Sequence, residues 1–214
     1  MPFCVGLTGG IGSGKSSAAG MFEECGAAVV DTDAISHELT QPGAPAIAAI
    51  RGAFGPGYIG PDGGLDRARM RGLVFRDPGA KAKLEAILHP LIRERSRAGV
   101  SGTKQPYAIL VVPLLLETGA YRDLIQRVLV VDCAEERQLA RAMQRSGLPA
   151  AEVRAIMAAQ LPRARRLAAA DDVLDNDGSM EELRQQVREL HALYLTLARR
   201  GRSSSRSKPA KPLK

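Results

Sequence analysis

The chain has 214 residues, 45% hydrophobic and 25% charged, the proportions of an ordinary soluble globular protein and a length suited to one α/β domain with insertions. No apolar run approaches the ~20 residues of a membrane-spanning helix, so insertion into a membrane is not expected. The formal charge of +7 sits mostly in a tail: Arg202, Arg206, Lys208, Lys211 and Lys214 have no acid among them, and without these five residues 1–200 carry only +2.

The first apolar run, 3–8, reads as a buried strand that starts too early to leave room for a secretory signal. It leads into Gly9-Gly10-Ile11-Gly12-Ser13-Gly14-Lys15-Ser16, which fits the phosphate-loop pattern G-x-x-x-x-G-K-S/T, and then into a predicted helix from Ser17 to Cys25. Glycines in such a loop let successive backbone N–H groups turn towards phosphate oxygens. The helix adds its positive N-terminal end, Lys15 reaches the β- and γ-phosphates, and the Ser16 hydroxyl can ligate Mg²⁺. With a strand before and a helix after, this pattern predicts binding of a nucleoside triphosphate.

A second strand, 27–31, ends in Val30-Asp31-Thr32-Asp33. If the extension persists, Asp31 and Asp33 project to the same side and both carboxylates could face the phosphate site. Phosphoryl transfer to an alcohol needs a group that orients the hydroxyl and takes its proton, and Asp33 is assigned that role. Alternatively one of the pair caps the helix expected from about Ala34, and Asp31 is read as a helper or a turn residue. Residues 34 to about 100 form a long excursion with helical segments and a Gly/Pro-rich middle, sized for a substrate-binding insertion. Within it, His89 and Arg93 stand four apart around Pro90, either as a packed histidine beside a kink or as cationic contacts for an anionic substrate.

Further strands are expected at 107–112, 127–132 and 172–175. Val128-Leu129-Val130-Val131-Asp132 imitates a Walker B strand, but the following Cys133-Ala134-Glu135 reads as a helix start, and Asp132 is assigned to capping it. Residues 134–168 are helical and arginine-rich. Arg137, Arg141 and Arg145 recur every four residues on one face, with Arg163, Arg165 and Arg166 beyond; such a stripe is either a solvated face or a mobile cover that closes on phosphates, and Arg141 is the first choice for that contact. Mg²⁺ would lean on Ser16, the ATP oxygens and water, with an aspartate after the second strand as a further ligand. Cys4, Cys25 and Cys133 form neither a C-x-x-C pair nor a zinc pattern and read as structural thiols of a reducing cytoplasm. The stretch 201–214 is expected to be disordered.

Continuous apolar strands alternating with helices predict an α/β fold: a P-loop NTPase-like parallel sheet of about five strands, helices on both faces, a helical insertion at 34–100 and a helical lid at 134–168. The core is then 1–33, 101–133 and 169–200. Ligands gather beyond the carboxyl ends of such strands, which points to the loops after residues 8, 31, 112 and 132.

Over residues 3 to about 195 the chain resembles the dephospho-coenzyme A kinase family. Gly6-Leu7-Thr8 with the loop through Ser16 is similar to that family's extended phosphate loop, and Val30-Asp31-Thr32-Asp33 to its acidic strand end, whose second aspartate is the base. His89-Pro90-Leu91-Ile92-Arg93 resembles its acceptor-binding element, Pro113-Leu114-Leu115-Leu116-Glu117 its Pro-Leu-Leu-Phe-Glu segment, Gln138 to Arg141 with Arg145 and Gln160 its lid, and Asp175-Asn176 its turn near the nucleotide. Leu116 replaces the usual Phe, and Ser17 stands where Thr is common. The resemblance implies ATP contacts at Gly10, Ile11, Gly12, Ser13, Gly14, Lys15, Ser16, Ser17, Arg141 and Asn176. It implies acceptor contacts at Asp33, His89, Arg93 and Leu116, a catalytic set of Asp33, Lys15 and Arg141, and Mg²⁺ on Ser16.

The implied reaction is ATP-dependent phosphorylation of the ribose 3′-hydroxyl of dephospho-CoA, closing coenzyme A biosynthesis in the cytoplasm. A kinase for another nucleotide or small metabolite is the nearest alternative. A nucleic-acid-associated ATPase is disfavoured by the low charge of residues 1–200, although a contact through the basic tail stays open. Oligomeric state is not legible.

Overall fold

The computed structural model describes residues 1–206, with side chains described through Gly201. In chain order the elements are β1 (Phe3–Gly9), α1 (Lys15–Glu24), β2 (Ala28–Asp31), α2 (Thr32–Glu38), α3 (Pro45–Phe54), α4 (Arg67–Arg76), α5 (Pro78–Gly102), β3 (Tyr107–Val111) and α6 (Leu115–Thr118). They continue with β4 (Arg127–Asp132), α7 (Glu135–Ser146), α8 (Ala150–Ala158), α9 (Arg163–Ala168), β5 (Asp172–Asp175) and α10 (Met180–Arg206). A single 3₁₀ turn, Pro56–Tyr58, separates α3 from α4.

The strands form one sheet in the order β2-β3-β1-β4-β5, with β1 parallel to both β3 and β4, and β4 parallel to β5. Register is continuous across the middle: Leu7 stands opposite Val111 on one side and Leu129 on the other. Alternate residues of the same strands enter two different cores. Val5, Leu7, Ile109, Val111, Leu129 and Val131 face a cluster completed by Ala18 and Phe22 of α1 and by Leu183, Val187 and Tyr194 of α10. Cys4, Ala108 and Leu110 face a second cluster with Val100, Leu115, Tyr121 and Leu124. The sheet is therefore covered on both faces, as its unbroken apolar runs require. Each fully buried Leu or Phe in these layers contributes roughly 1.5–3 kcal/mol of transfer free energy.

After β1 the chain lays β2 and β3 to one side, then crosses back to add β4 and β5 on the other. That reversal opens a crevice outside the carboxyl end of β1. The chain emerging there is the glycine-rich loop.

Residues Asp31–Gly99 make a second compact unit with a core of its own, formed by Leu39, Ala46, Ile50, Met70, Leu88 and Ile92. Its helices start where local chemistry satisfies their first N–H groups. Asp66 accepts from Arg69 N at 2.9 Å to open α4, Asp77 accepts from Gly79 N at 2.8 Å to open α5, and Pro45 sits at the first position of α3. Helix α5 runs unbroken through Pro90 at the cost of one backbone hydrogen bond.

Helix α10 continues to Arg206, so its helical repeat carries into the first six residues of the tail expected to be disordered. Extending a helix already anchored by packing adds one hydrogen bond per residue without a new nucleation cost. The rest of that expectation, 207–214, lies outside the described residues. No described helix is long and apolar enough to cross a membrane.

Candidate active site

The loop Gly9–Ser16 links β1 to α1 through two left-handed glycines, Gly12 at φ +73° and Gly14 at φ +99°. Neither position can carry a side chain. A Cβ at Gly12 would run into the backbone carbonyl of Gln138, and one at Gly14 into the side-chain amide of Asn176. Gly14 is also the N-cap of α1 and brings no side-chain acceptor to that positive helix end, the kind of end that favours an anion. Lys15 Nζ donates to Gly9 O at 2.8 Å and to Gly10 O at 2.9 Å, which holds its ammonium group across the mouth of the loop. Ser16 and Ser17 are exposed on the first turn. The Ser13 hydroxyl is fully buried and has no hydrogen-bond partner among the described residues.

Around this loop stand polar side chains from distant parts of the chain. Asn176, 4% exposed, donates through Nδ2 to Ser13 O at 2.7 Å. Gln160 Oε1 accepts from Ile11 N at 3.0 Å. Gln138, 1% exposed, donates to Cys133 O at 2.8 Å while its own backbone lies against Gly12. Arg141 donates to Asn176 O at 3.2 Å and approaches Cys133 Sγ at 3.9 Å. Arg137 pairs with Asp177 at 3.3 Å, and the same carboxylate accepts from Ala134 N at the start of α7. Arg137 and Arg141, one turn apart, thus both engage the turn after β5, Arg137 while remaining exposed. Arg145, next on that stripe, is exposed.

Asp132 is not a cap. The N-cap of α7 is Ala134, and Asp132 instead takes a forked pair from Arg163, with Nη2 to Oδ2 at 2.7 Å and Nε to Oδ1 at 3.0 Å. Those hydrogen bonds raise the already high pKa of Arg163 further. The cap reading fails because two residues, Cys133 and Ala134, intervene before helical geometry begins. Burial, the dominant cause, raises the Cys133 thiol and pushes Cys4 up to about 12, so neither is a reactive thiolate.

In the second unit the two acids stand in different backbone settings. Asp31 is extended and its Oδ1 accepts from Asp33 N at 2.8 Å and Ala34 N at 3.3 Å, capping α2. The helix starts at Thr32, two residues earlier than expected, so the extended backbone does not persist and the same-side argument for the two carboxylates fails. Asp33 occupies the first turn of α2. Arg67, which the sequence did not single out, reaches from α4 to α2: its Nη2 donates to Thr40 Oγ1 at 2.6 Å and Ser36 O at 3.2 Å. Burial and then Arg71 lower its pKa, and Asp33 opposes the shift. His89 and Arg93 are both exposed on α5, which removes the packed-histidine alternative. In the first unit Leu116 is half-buried and lines, with Leu115, Arg122 and Ile125, a cavity of about 300 Å³. Glu117 beside it accepts from Leu161 N at 2.9 Å.

No cluster of three or more His, Cys, Asp or Glu that could hold a metal ion occurs among the described residues. Ser16, exposed on the first turn of α1, carries the kind of oxygen donor that suits a hard cation such as Mg²⁺.

A nucleotide loop at the switch point of a parallel sheet, with a helical arginine-bearing segment folded onto it, makes this a P-loop phosphotransferase of the small-kinase type. A solved shikimate kinase from Acinetobacter baumannii shares that fold alone, with a TM-score of 0.51 at 16% identity over 92% of this chain and 94% of the other. Much nearer, the dephospho-CoA kinase family profile matches residues 3–182. The chain belongs to the dephospho-CoA kinase family. The dephospho-CoA kinase of Nitrosospira multiformis is 58% identical over 91% of this chain and 97% of the relative, and that of Aromatoleum aromaticum 57% over 92% and 96%. Among solved structures, TT1252 from Thermus thermophilus superimposes with a TM-score of 0.77 at 34% identity, and the dephospho-CoA kinase from Campylobacter jejuni with 0.66 at 26%. Each covers 90% of this chain and 97% of the other.

Proposed function

We propose that this protein transfers the γ-phosphoryl group of ATP to the ribose 3′-hydroxyl of dephospho-CoA, giving CoA and ADP in the last step of coenzyme A biosynthesis. The observation that carries this reading is the phosphate loop at the crevice of β1, in a chain more than half identical to dephospho-CoA kinases along nearly its whole length. The reaction forms a bond from the 3′-oxygen to phosphorus and breaks the bond to the β–γ bridging oxygen. The hydroxyl proton goes to a base.

Backbone N–H groups of the loop from Gly14 onwards, at the start of α1, hold the triphosphate, while the Ser13 N–H closes the loop on Gly10 O at 3.2 Å. Lys15 exchanges the Gly9 and Gly10 carbonyls for phosphate oxygens, a charge-assisted contact stronger than the neutral ones it replaces. Asn176 keeps the loop curled at Ser13, and Arg141, seated on the same turn, is placed to stabilise charge spreading over the transferring group. Asp33 orients the 3′-hydroxyl and takes its proton. Asp31 caps α2 through its carboxylate and Asp33 is exposed on the first turn of that helix, which supports giving the base role to Asp33. His89 and Arg93, both cationic or polar and solvent-facing, and Leu116 seat the acceptor, with 34–100 as the acceptor-binding insertion and 134–168 as a lid. When bound, Mg²⁺ on Ser16 neutralises phosphate charge. We assign the enzyme to the cytoplasm, where ATP and its acceptor meet and where free cysteines persist.

Purified enzyme given ATP and a panel of acceptors, with ADP release followed continuously, tests the reading. Dephospho-CoA should exceed every nucleoside monophosphate, shikimate and gluconate in kcat/KM, and phosphorus NMR should place the new phosphate on the 3′-oxygen. A nucleoside monophosphate preferred over dephospho-CoA would overturn it.

A further inference from the structure

The connector between α8 and α9 is fastened to the core by contacts that the transfer reaction does not itself need. Within seven residues, 160–166, three hydrogen-bonding attachments reach other elements, and a further bond closes the segment on itself. Gln160 Oε1 takes the Ile11 N–H of the phosphate loop at 3.0 Å. Leu161 N donates to the Glu117 carboxylate at 2.9 Å, well beyond the end of β3. Arg163 forks onto Asp132 at the last residue of β4. Arg166, 6% exposed, turns back onto Leu161 O and lies beside Gly10.

The Arg163–Asp132 pair has the geometry that makes an ion pair count. It is forked rather than single, and the carboxylate side chain is only 11% exposed. Removing one partner would strand a charge in a mostly desolvated place. Beside the connector, α7 and α8 flank an open cavity of about 450 Å³, lined by Leu139, Arg154 and Met157 together with Gln160 and Pro162 of the connector itself.

We propose that residues 160–166 are the fixed root of the lid, a latch in which the Asp132–Arg163 pair sets the position of Gln160, and Gln160 in turn holds the entering half of the phosphate loop through Ile11. Gln160 and Arg163 are then positioning residues for ATP, and the acid at the Walker B-like position serves as an anchor for an arginine. This rests on the reading of the loop as the ATP site. The Ile11 amide is already committed to Gln160, so the cradle is shaped before nucleotide arrives. Loss of the pin lets the loop relax outwards, and preorganisation is lost before chemistry begins.

The test compares wild type, Gln160→Ala, Arg163→Gln and the double variant. It measures binding of a non-hydrolysable ATP analogue by calorimetry, kcat and KM for both substrates, and the thermal midpoint. Gln160→Ala should weaken analogue binding by ~3–10-fold, the loss of one hydrogen bond, while KM for the acceptor and the thermal midpoint hold. Arg163→Gln should weaken it comparably, and the double variant should be no worse than the worse single, because both substitutions release the same pin. Arg163→Lys should restore only part of the affinity, since an ammonium cannot fork onto Asp132. Unchanged or tighter analogue binding in Gln160→Ala, or effects that multiply in the double variant, would overturn the latch. Failure of wild type to bind the analogue would instead overturn the site reading beneath it.

Discussion

Asn176 is the side chain on which the shape of the phosphate loop depends most directly, and its replacement can be priced from the structure. It is 4% exposed and spends its Nδ2 on Ser13 O at 2.7 Å. Asn176→Ala leaves that carbonyl without its donor in a place water hardly reaches, a cost of ~1–3 kcal/mol. For a chain of this size that is a fall of ~2–12 °C in thermal midpoint. Arg141 should keep its place, because it bonds the main-chain oxygen of residue 176, which survives the substitution. Asn176→Asp is the sharper variant: it keeps the volume but turns an acceptor, and a charge, onto the Ser13 carbonyl and towards an anionic ligand. The order of thermal midpoints should therefore be wild type, then Ala, then Asp, and nucleotide affinity should follow the same order. Circular dichroism melts with and without an ATP analogue, together with calorimetric titration, read both quantities. An Asp variant that melts and binds like wild type would refute the claim that this amide holds the loop.

Gly12→Ala should lower nucleotide affinity by at least ~10-fold. The left-handed backbone costs a Cβ ~1–2 kcal/mol, and the Gln138 carbonyl bars the space, so equal analogue binding in that variant would contradict the loop geometry. His191, whose Nδ1 meets the Tyr107 hydroxyl at 2.8 Å, has its pKa lowered from 6.5 by burial. Below that value the unfolded chain binds a proton that the folded chain resists, so stability should rise with pH through about pH 5 to 7 and fall on acidification. His191→Gln should flatten that part of the curve in urea unfolding, and an unchanged slope would remove His191 as the cause. Deleting 201–214 should leave kcat and both KM values unchanged, and a sharp fall in kcat would show that the tail reaches the site.

Much of the architecture was visible in the letters. Five apolar runs became five strands within a residue or so at each end, because a strand covered on both faces needs an unbroken apolar segment, and such segments are conspicuous. The phosphate loop was legible for a similar reason, since its glycines answer a local steric demand. What escaped was set by tertiary contact. Gln138 reads as one more polar residue beside an arginine stripe, and only its spacing of four from buried Ala142 hinted at an inward face. Asp132 looked like a cap because its partner Arg163 lies 31 residues away and nothing local announces the pair. The expectation that the carboxylates of Asp31 and Asp33 share one side of an extended strand failed because the helix begins at Thr32, and only the capping bonds of Asp31 reveal that start. Arg67 gave no signal at all, because its reach to Thr40 depends on how α4 packs on α2.

Asp33 is the group proposed to take the acceptor's proton, and the transfer reaction depends on it. Asp33→Asn keeps the size and shape of the side chain and removes only its basicity, so it should bind an ATP analogue like wild type. Single-turnover quench of that variant with saturating ATP and dephospho-CoA should show 3′-phosphorylated product forming at least ~10²-fold more slowly than in wild type. A variant that forms product at the wild-type rate, with analogue affinity intact, would contradict the central claim.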